Sequence, residues 1–291
     1  MRSVLITGSN RGLGLGMVKY LLSGNNQPSH IIATCRKPEE AKELQELSKS
    51  SKNVHILKLD LTDIESYPKV VKDVTDITKD DGINLLMNNG GISSKFTTLN
   101  FVKPEQLLEN FTVNTLAPII LTKYLLPSLK IAAKNNADKP MGISRAAVVN
   151  MSSILGSIAV NDKGGFYPYR CSKSALNAAT RSMSVDLKKD NILVVSIHPG
   201  WVKTDMGGKG APLDVETSIK GIFKTLRTFK EENSGNFYQY DGEKLNCTGK
   251  LPLIRLKCHT QAVERAVKTV TEASNTLFEK ILQEQVLSRR R

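Results

Sequence analysis

The chain has 291 residues, 40% of them hydrophobic and 24% charged, with a formal net charge of +13, which fits one globular domain plus a short appendage. Its basic residues are dispersed apart from Arg289, Arg290 and Arg291, and ten Lys/Arg against four Glu from Lys244 onward supply +6 of the total; this favours an anionic small ligand and a basic tail over nucleic acid. Four cysteines without C-x-x-C or framework spacing and four scattered histidines argue against a disulfide scaffold and a metal site.

Short apolar, β-rich runs alternate with longer helical patterns. Strands are expected at 3–8, 30–35, 54–60, 83–89, 146–153, 192–200 and 235–242, and helices at 13–23, 38–50, 64–78, 104–131, 168–188 and 213–229. This alternation predicts an α/β domain over residues 1–245, a doubly wound parallel sheet of the Rossmann type with helices on both faces. Ligands of such sheets bind beyond the carboxyl ends of the strands, so the residues that follow each strand are the candidates for a site. "MRSVLITG" enters a strand with no apolar leader before it, and no run approaches the roughly 18 apolar residues of a membrane span. A cytoplasmic protein with reduced thiols and no stable membrane insertion is therefore expected.

"TGSNRGLG" (7–14) follows the first strand and opens the first helix. Gly8 permits a sharp turn, and Gly12 and Gly14 let backbone and helix end approach a pyrophosphate, toward which the free N–H groups of the helix start would point. The second strand ends "ATCRK", with Arg36 and Lys37 and no acidic residue to accept from a ribose 2′-hydroxyl. With Arg11 in the glycine turn, these cations suit a 2′-phosphate and hence NADP(H). After the third strand, Asp60 could accept from an adenine amino group with Leu61 supplying backbone, or serve only a helix cap. "NNGG" (88–91), with Asn88, Asn89 and Gly90, gives a second platform of small residues.

Tyr169 and Lys173 stand four apart on one helix and so share a face. An ammonium there would lower the phenol's pKa and prepare it to exchange a proton with a carbonyl oxygen. "NMSSILG" places Ser152 and Ser153 at the end of the fifth strand, where a hydroxyl can bond a substrate oxygen. Asn114 lies inside a predicted helix, where asparagine is a poor former; it is either a solvated kink or the holder of a water relaying protons from Lys173. "HPGWVKTDM" (198–206) turns at Pro199 and Gly200 after the sixth strand, and Thr204 could bond a nicotinamide carboxamide. "GGKG" (207–210) suits a mobile lid.

In order and spacing over about residues 1–242, "TGSNRGLG", "NNGG", Asn114, "SSILG", "YRCSK" and "HPGWVKT" resemble the short-chain dehydrogenase/reductase family, and "VNMSSILGSI", "YRCSKSALNAAT" and "HPGWVKTDMGG" resemble its sniffer-like carbonyl reductase branch. The resemblance implies an NADPH-dependent reductase of small carbonyl compounds. It implies Asn114, Ser153, Tyr169 and Lys173 as the catalytic set, choosing Ser153 over Ser152 by the S-x-x-G pattern. It also implies cofactor contacts from Gly8, Asn10, Arg11, Gly12, Leu13, Gly14, Arg36, Asp60, Leu61, Asn88, Asn89, Gly90, Tyr169, Lys173, Pro199, Gly200, Val202 and Thr204. A homodimer through the helices at 104–131 and 168–188 is possible on the same ground. Gly90 stands where the family usually has alanine, which predicts a small loss of rigidity. Residues 246–291 are unmatched; they read as a linker and a surface helix from Gln261, with dimer, partner or membrane-surface contact as its alternative roles. Retinal, steroid or lipid carbonyls are alternative substrates, and an NADPH-binding regulatory protein with incidental turnover is the rival of another class.

Overall fold

A computed structural model describes residues 1–248, Asn25 and Lys95 excepted. Eight strands form one sheet: β1 (Ser3–Thr7), β2 (His30–Cys35), β3 (Val54–Lys58), β4 (Leu85–Asn88), β5 (Ala147–Met151), β6 (Leu193–His198), β7 (Phe237–Gln239) and β8 (Lys244–Leu245). Their order is β3-β2-β1-β4-β5-β6-β7-β8. All pairings are parallel except β7 with β8, a short hairpin edge that the sequence pattern did not separate from the seventh strand. The order reverses between β1 and β4, so the crevice for a ligand opens beside Thr7 and Asn88.

The helices are α1 (Gly12–Ser23), α2 (Lys42–Ser50), α3 (Tyr67–Thr78), α4 (Pro104–Phe111), α5 (Ala117–Asn135), α6 (Tyr167–Asp186) and α7 (Val215–Thr228). Near-continuous apolar strands bury side chains on both faces, as a covered parallel sheet requires. One core sets Val4, Ile6, Met87, Val149 and Val195 against Met17, Val18, Ile219 and Phe223 of α1 and α7. The other sets Leu5, Ile32, Leu86, Val148 and Val194 against Tyr67, Val70, Leu121, Leu125 and Leu129 of α3 and α5.

The helix expected over 104–131 is continuous but not regular. A π-helical turn, Thr112–Leu116, joins α4 to α5 and carries Asn114 at its centre; such turns interrupt a helix mostly at functional sites. Within Pro104–Asn135 an 18-residue stretch is apolar enough for a membrane span, contrary to the sequence expectation. Half of that 18-residue stretch is buried inside the protein, and Leu121, Leu125 and Leu129 of this helix belong to the second core. Leu107, Leu108 and Phe111 of α4 and Val185 of α6 are exposed, on the helices to which a homodimer contact was assigned.

Beyond β8, the carbonyls of Asn246 and Cys247 accept from Ser157 Oγ and the Ile158 N–H at 2.5 and 2.8 Å. The packed chain thus continues two residues past the boundary drawn at 245. Cys35, Cys171 and Cys247 are free. The expected tail helix lies outside the described residues.

Candidate active site

The cofactor end of the sheet is built by removing side chains. Gly8 (φ +69°) and Gly12 (φ +54°) adopt the left-handed backbone that glycine alone enters without strain. A Cβ on Gly14 would stand 2.1 Å from the Gly8 carbonyl oxygen, so only glycine lets α1 begin this close to β1. Thr7 welds this turn to the end of β4: its hydroxyl accepts from the N–H groups of Asn89 (3.0 Å) and Gly90 (2.8 Å), while Asn89 Nδ2 donates to the Thr7 carbonyl at 2.8 Å. Sequence reasoning passed over Thr7, because a threonine at a strand end carries no distinctive spacing.

Around this turn Asn10 and Arg36 are exposed, and Leu13 packs on the first core. Arg11 is not free: its guanidinium pairs with Asp205 at 2.8 Å across the crevice, with both groups exposed. Such a pair is worth little in water, so an incoming phosphate can compete for it. Asp60 accepts from the N–H and hydroxyl of Thr62 at 2.9 and 2.8 Å. Burial acts to raise its pKa, but the Thr62 bonds and the charges of Arg36 and Lys58 outweigh it and hold the carboxyl below its usual range. That interaction also sets Arg36 beside Asp60, with no acid at the end of β2. Tyr67 holds the Leu61 carbonyl at 2.9 Å. A glycine cradle and an exposed Arg36 at the end of β2 fit a phosphorylated dinucleotide.

Asn88 leaves only its backbone for the expected platform. Its side chain turns into the protein, where Nδ2 donates to Asn150 Oδ1 at 2.8 Å; Asn150 donates to Thr180 Oγ1, as does Ser196 Oγ, both at 2.8 Å. A buried row of paired polar groups thus ties β4, β5 and β6 to α6, and Asn88 serves the sheet with its side chain. After β6, Gly200 (φ +84°) makes the turn, and a Cβ there would meet Leu213 at 2.8 Å. Pro199 accepts from Ser218 at 2.6 Å, and buried Val202 bridges Leu213. Thr204 lies against Gly12 and accepts from the Gly207 N–H at 3.1 Å, so this loop closes over the glycine turn.

The side chains expected to react gather around β5 and α6. Lys173 is buried and donates to the Met151 carbonyl at 2.7 Å. Asn114, fully buried, holds both backbone groups of Ile92: Oδ1 accepts the N–H at 2.9 Å and Nδ2 donates to the carbonyl at 2.8 Å. Nδ2 also reaches Ser172 Oγ at 3.0 Å. Its carboxamide therefore pins the loop after β4. Ser153 Oγ accepts the Leu155 N–H at 3.2 Å, which leaves its own proton free to donate. Ser152 Oγ is buried without a partner. Gly156 lets α6 close on this turn, since a Cβ there would fall 2.8 Å from Lys173.

Tyr169 differs from expectation in one respect. The Lys173 amine sits 5.8 Å from the centroid of its ring, and burial is the larger influence on the phenol. Burial raises the Tyr169 pKa, and the neighbouring Ser153 hydroxyl opposes that rise. Burial likewise pushes the Lys173 ammonium down to about 8. A sequence shows which groups are neighbours and not how far each has been desolvated.

The short chain dehydrogenase family model matches residues 2–212. The chain belongs to this family. Among solved structures it is similar to the carbonyl reductase Sniffer of D. melanogaster, with 54% identity and a TM-score of 0.84 over 84% of this chain and 99% of that one. It is similar also to the NADPH-bound carbonyl reductase from chicken fatty liver, with 40% identity and a TM-score of 0.80 over 84% and 99%. An uncharacterized oxidoreductase of Schizosaccharomyces pombe is 34% identical over 254 residues, 81% of this chain and 94% of the relative. In this short-chain dehydrogenase, then, the glycine turn and the expected set of Asn114, Ser153, Tyr169 and Lys173 lie toward the carboxyl ends of the central strands.

Proposed function

We propose that this protein is an NADPH-dependent carbonyl reductase in which Tyr169 gives the proton that completes the alcohol. The observation that carries the reading is the arrangement of Tyr169 and Lys173 beside Ser153: a buried amine 5.8 Å from the centroid of the phenol ring that donates to the adjoining strand. The similar carbonyl reductases support it. NADPH, when bound, supplies the hydride, which goes to the carbonyl carbon. Ser153 donates to the carbonyl oxygen as negative charge develops there. Tyr169 transfers its phenolic proton to that oxygen, and Lys173 offsets the charge left on the phenolate. Arg36 would take the 2′-phosphate, and Gly8, Gly12 and Gly14 the pyrophosphate.

The test is NADPH oxidation with a reactive dicarbonyl or quinone by wild type and Tyr169→Phe, with NADH as the control cofactor. The variant should lose about 10²- to 10⁴-fold in kcat, the usual contribution of a positioned acid, while binding NADPH as wild type does. Equal turnover by the two proteins would remove the mechanism. Tight NADPH binding with no turnover of any carbonyl would favour a regulatory role.

A further inference from the structure

Ser153 stands at the head of a three-residue 3-10 turn, Ile154–Gly156. Its hydroxyl accepts from the Leu155 N–H at 3.2 Å, and its carbonyl accepts from the Gly156 N–H at 2.8 Å. Turns this short have poor hydrogen-bond geometry, and their last carbonyls find no partner within the turn. Here α6 supplies the partners. Ser174 Oγ donates to the Gly156 carbonyl at 2.9 Å, Asn177 Nδ2 reaches the same oxygen at 3.4 Å, and the Arg170 guanidinium reaches the Leu155 carbonyl at 3.4 Å. Arg170 is buried, and among the described residues it pairs with no carboxylate.

Arg170, Ser174 and Asn177 follow one another at four and three residues and so line one face of the helix. Tyr169 and Lys173 occupy the adjacent face, each one residue before Arg170 and Ser174. One helix thus carries the proposed proton donor and its amine while gripping the turn that bears the serine. We propose that Ser174 is a positioning residue for Ser153. With Arg170 and Asn177 beside it, it fixes the turn, so that the Leu155 N–H stays on the serine oxygen and the serine proton stays available to the substrate carbonyl. The inference rests on the carbonyl reductase reading for the role of Ser153 and on the grip of α6 for the positioning. No step of the hydride or proton transfer runs through Ser174.

The test is a double-mutant cycle between Ser174 and Ser153, read as kcat for 9,10-phenanthrenequinone at saturating NADPH, together with amide hydrogen exchange at Leu155. Ser174→Ala removes the hydroxyl and puts a strong helix former in its place, so α6 is kept, which the melting temperature checks. It should lower kcat about 3- to 10-fold, the net value of one hydrogen bond, with NADPH affinity unchanged. In the Ser153→Ala background the same change should cost less than about 2-fold, because the group it positions is gone. Exchange at the Leu155 amide should quicken in Ser174→Ala as the turn opens more often. No loss of kcat in Ser174→Ala, an equal loss in both backgrounds, or unchanged exchange at Leu155 each overturns the proposal. If wild type does not oxidise NADPH with the quinone, the reductase reading fails, and exchange at Leu155 alone decides whether Ser174 holds the turn.

Discussion

The two halves of this site are made by opposite means. The proposed cofactor side is made by what is missing: Gly8, Gly12 and Gly14 clear space for backbone, and the cations Arg11 and Arg36 remain on the surface. The proposed substrate side is made by polar groups taken out of water: Asn114, Ser153 and Lys173 are buried, and burial moves the proton affinities of Lys173 and Tyr169. The first half depends on shape and tolerates solvent. The second depends on desolvation, so its chemistry and its stability pull against each other.

Removing the empty space is the hardest blow to the first half. In Gly14→Ala the new methyl would overlap the Gly8 carbonyl oxygen at 2.1 Å, and that neighbour is backbone that cannot swing aside. Overpacking of this kind costs on the order of 3 kcal/mol, about a hundredfold in affinity if the glycine turn absorbs it. Titration with NADPH reads the outcome. Near-wild-type binding would show that the turn yields, and the contrast between a rigid cradle and a desolvated pocket would dissolve.

The second half is probed by pH. The Lys173 pKa, about 8 in the folded protein, lies below its ordinary 10.5. Below pH 8 both states carry the charge, and the folded state bears the full penalty of a buried ammonium. Between about 8 and 10.5 the unfolded chain binds the extra proton, so this residue's contribution to stability rises with pH. The slope is at most about 1.4 kcal/mol per pH unit. Activity should run the other way, with kcat/KM for carbonyl reduction falling as pH passes about 8 and Lys173 loses its charge. Urea unfolding of wild type and Lys173→Met from pH 7 to 10, beside kcat/KM over the same range, tests both trends. Stability and activity rising together would mean that Lys173 works uncharged.

The same division decides what the sequence could show. Strand–helix alternation disclosed seven of the eight strands, because covered parallel strands are continuous apolar runs. The glycine turn and the Tyr169–Lys173 pair were legible because their roles follow from residue type and spacing. The π-helical turn at Asn114 was not: asparagine marked an irregularity, but nothing local says which way a helix yields. Asn88 stands next to cofactor-type residues in sequence, yet strand alternation sends its side chain into the row with Asn150, Thr180 and Ser196, partners known only once β5, β6 and α6 are assembled.

The gentlest test falls on Gly90, where the family usually carries alanine. Unlike Gly14, it faces no backbone wall on the Cβ side. A methyl there would meet Leu61 Cδ1 at 2.7 Å and Thr7 Oγ1 at 3.3 Å, and the nearer atom ends a flexible side chain that can change rotamer. In this chain the Leu61 methyl occupies the space an alanine would use. Gly90→Ala removes backbone freedom from the unfolded chain, worth about 0.4–1 kcal/mol of stability where the conformation is compatible, and spends part of that gain on moving Leu61. The expected outcome is a change in stability under about 1 kcal/mol with NADPH affinity kept. A loss as large as that of Gly14→Ala would show that Leu61 is itself fixed, and that the platform after β4 is as rigid as the glycine turn it faces.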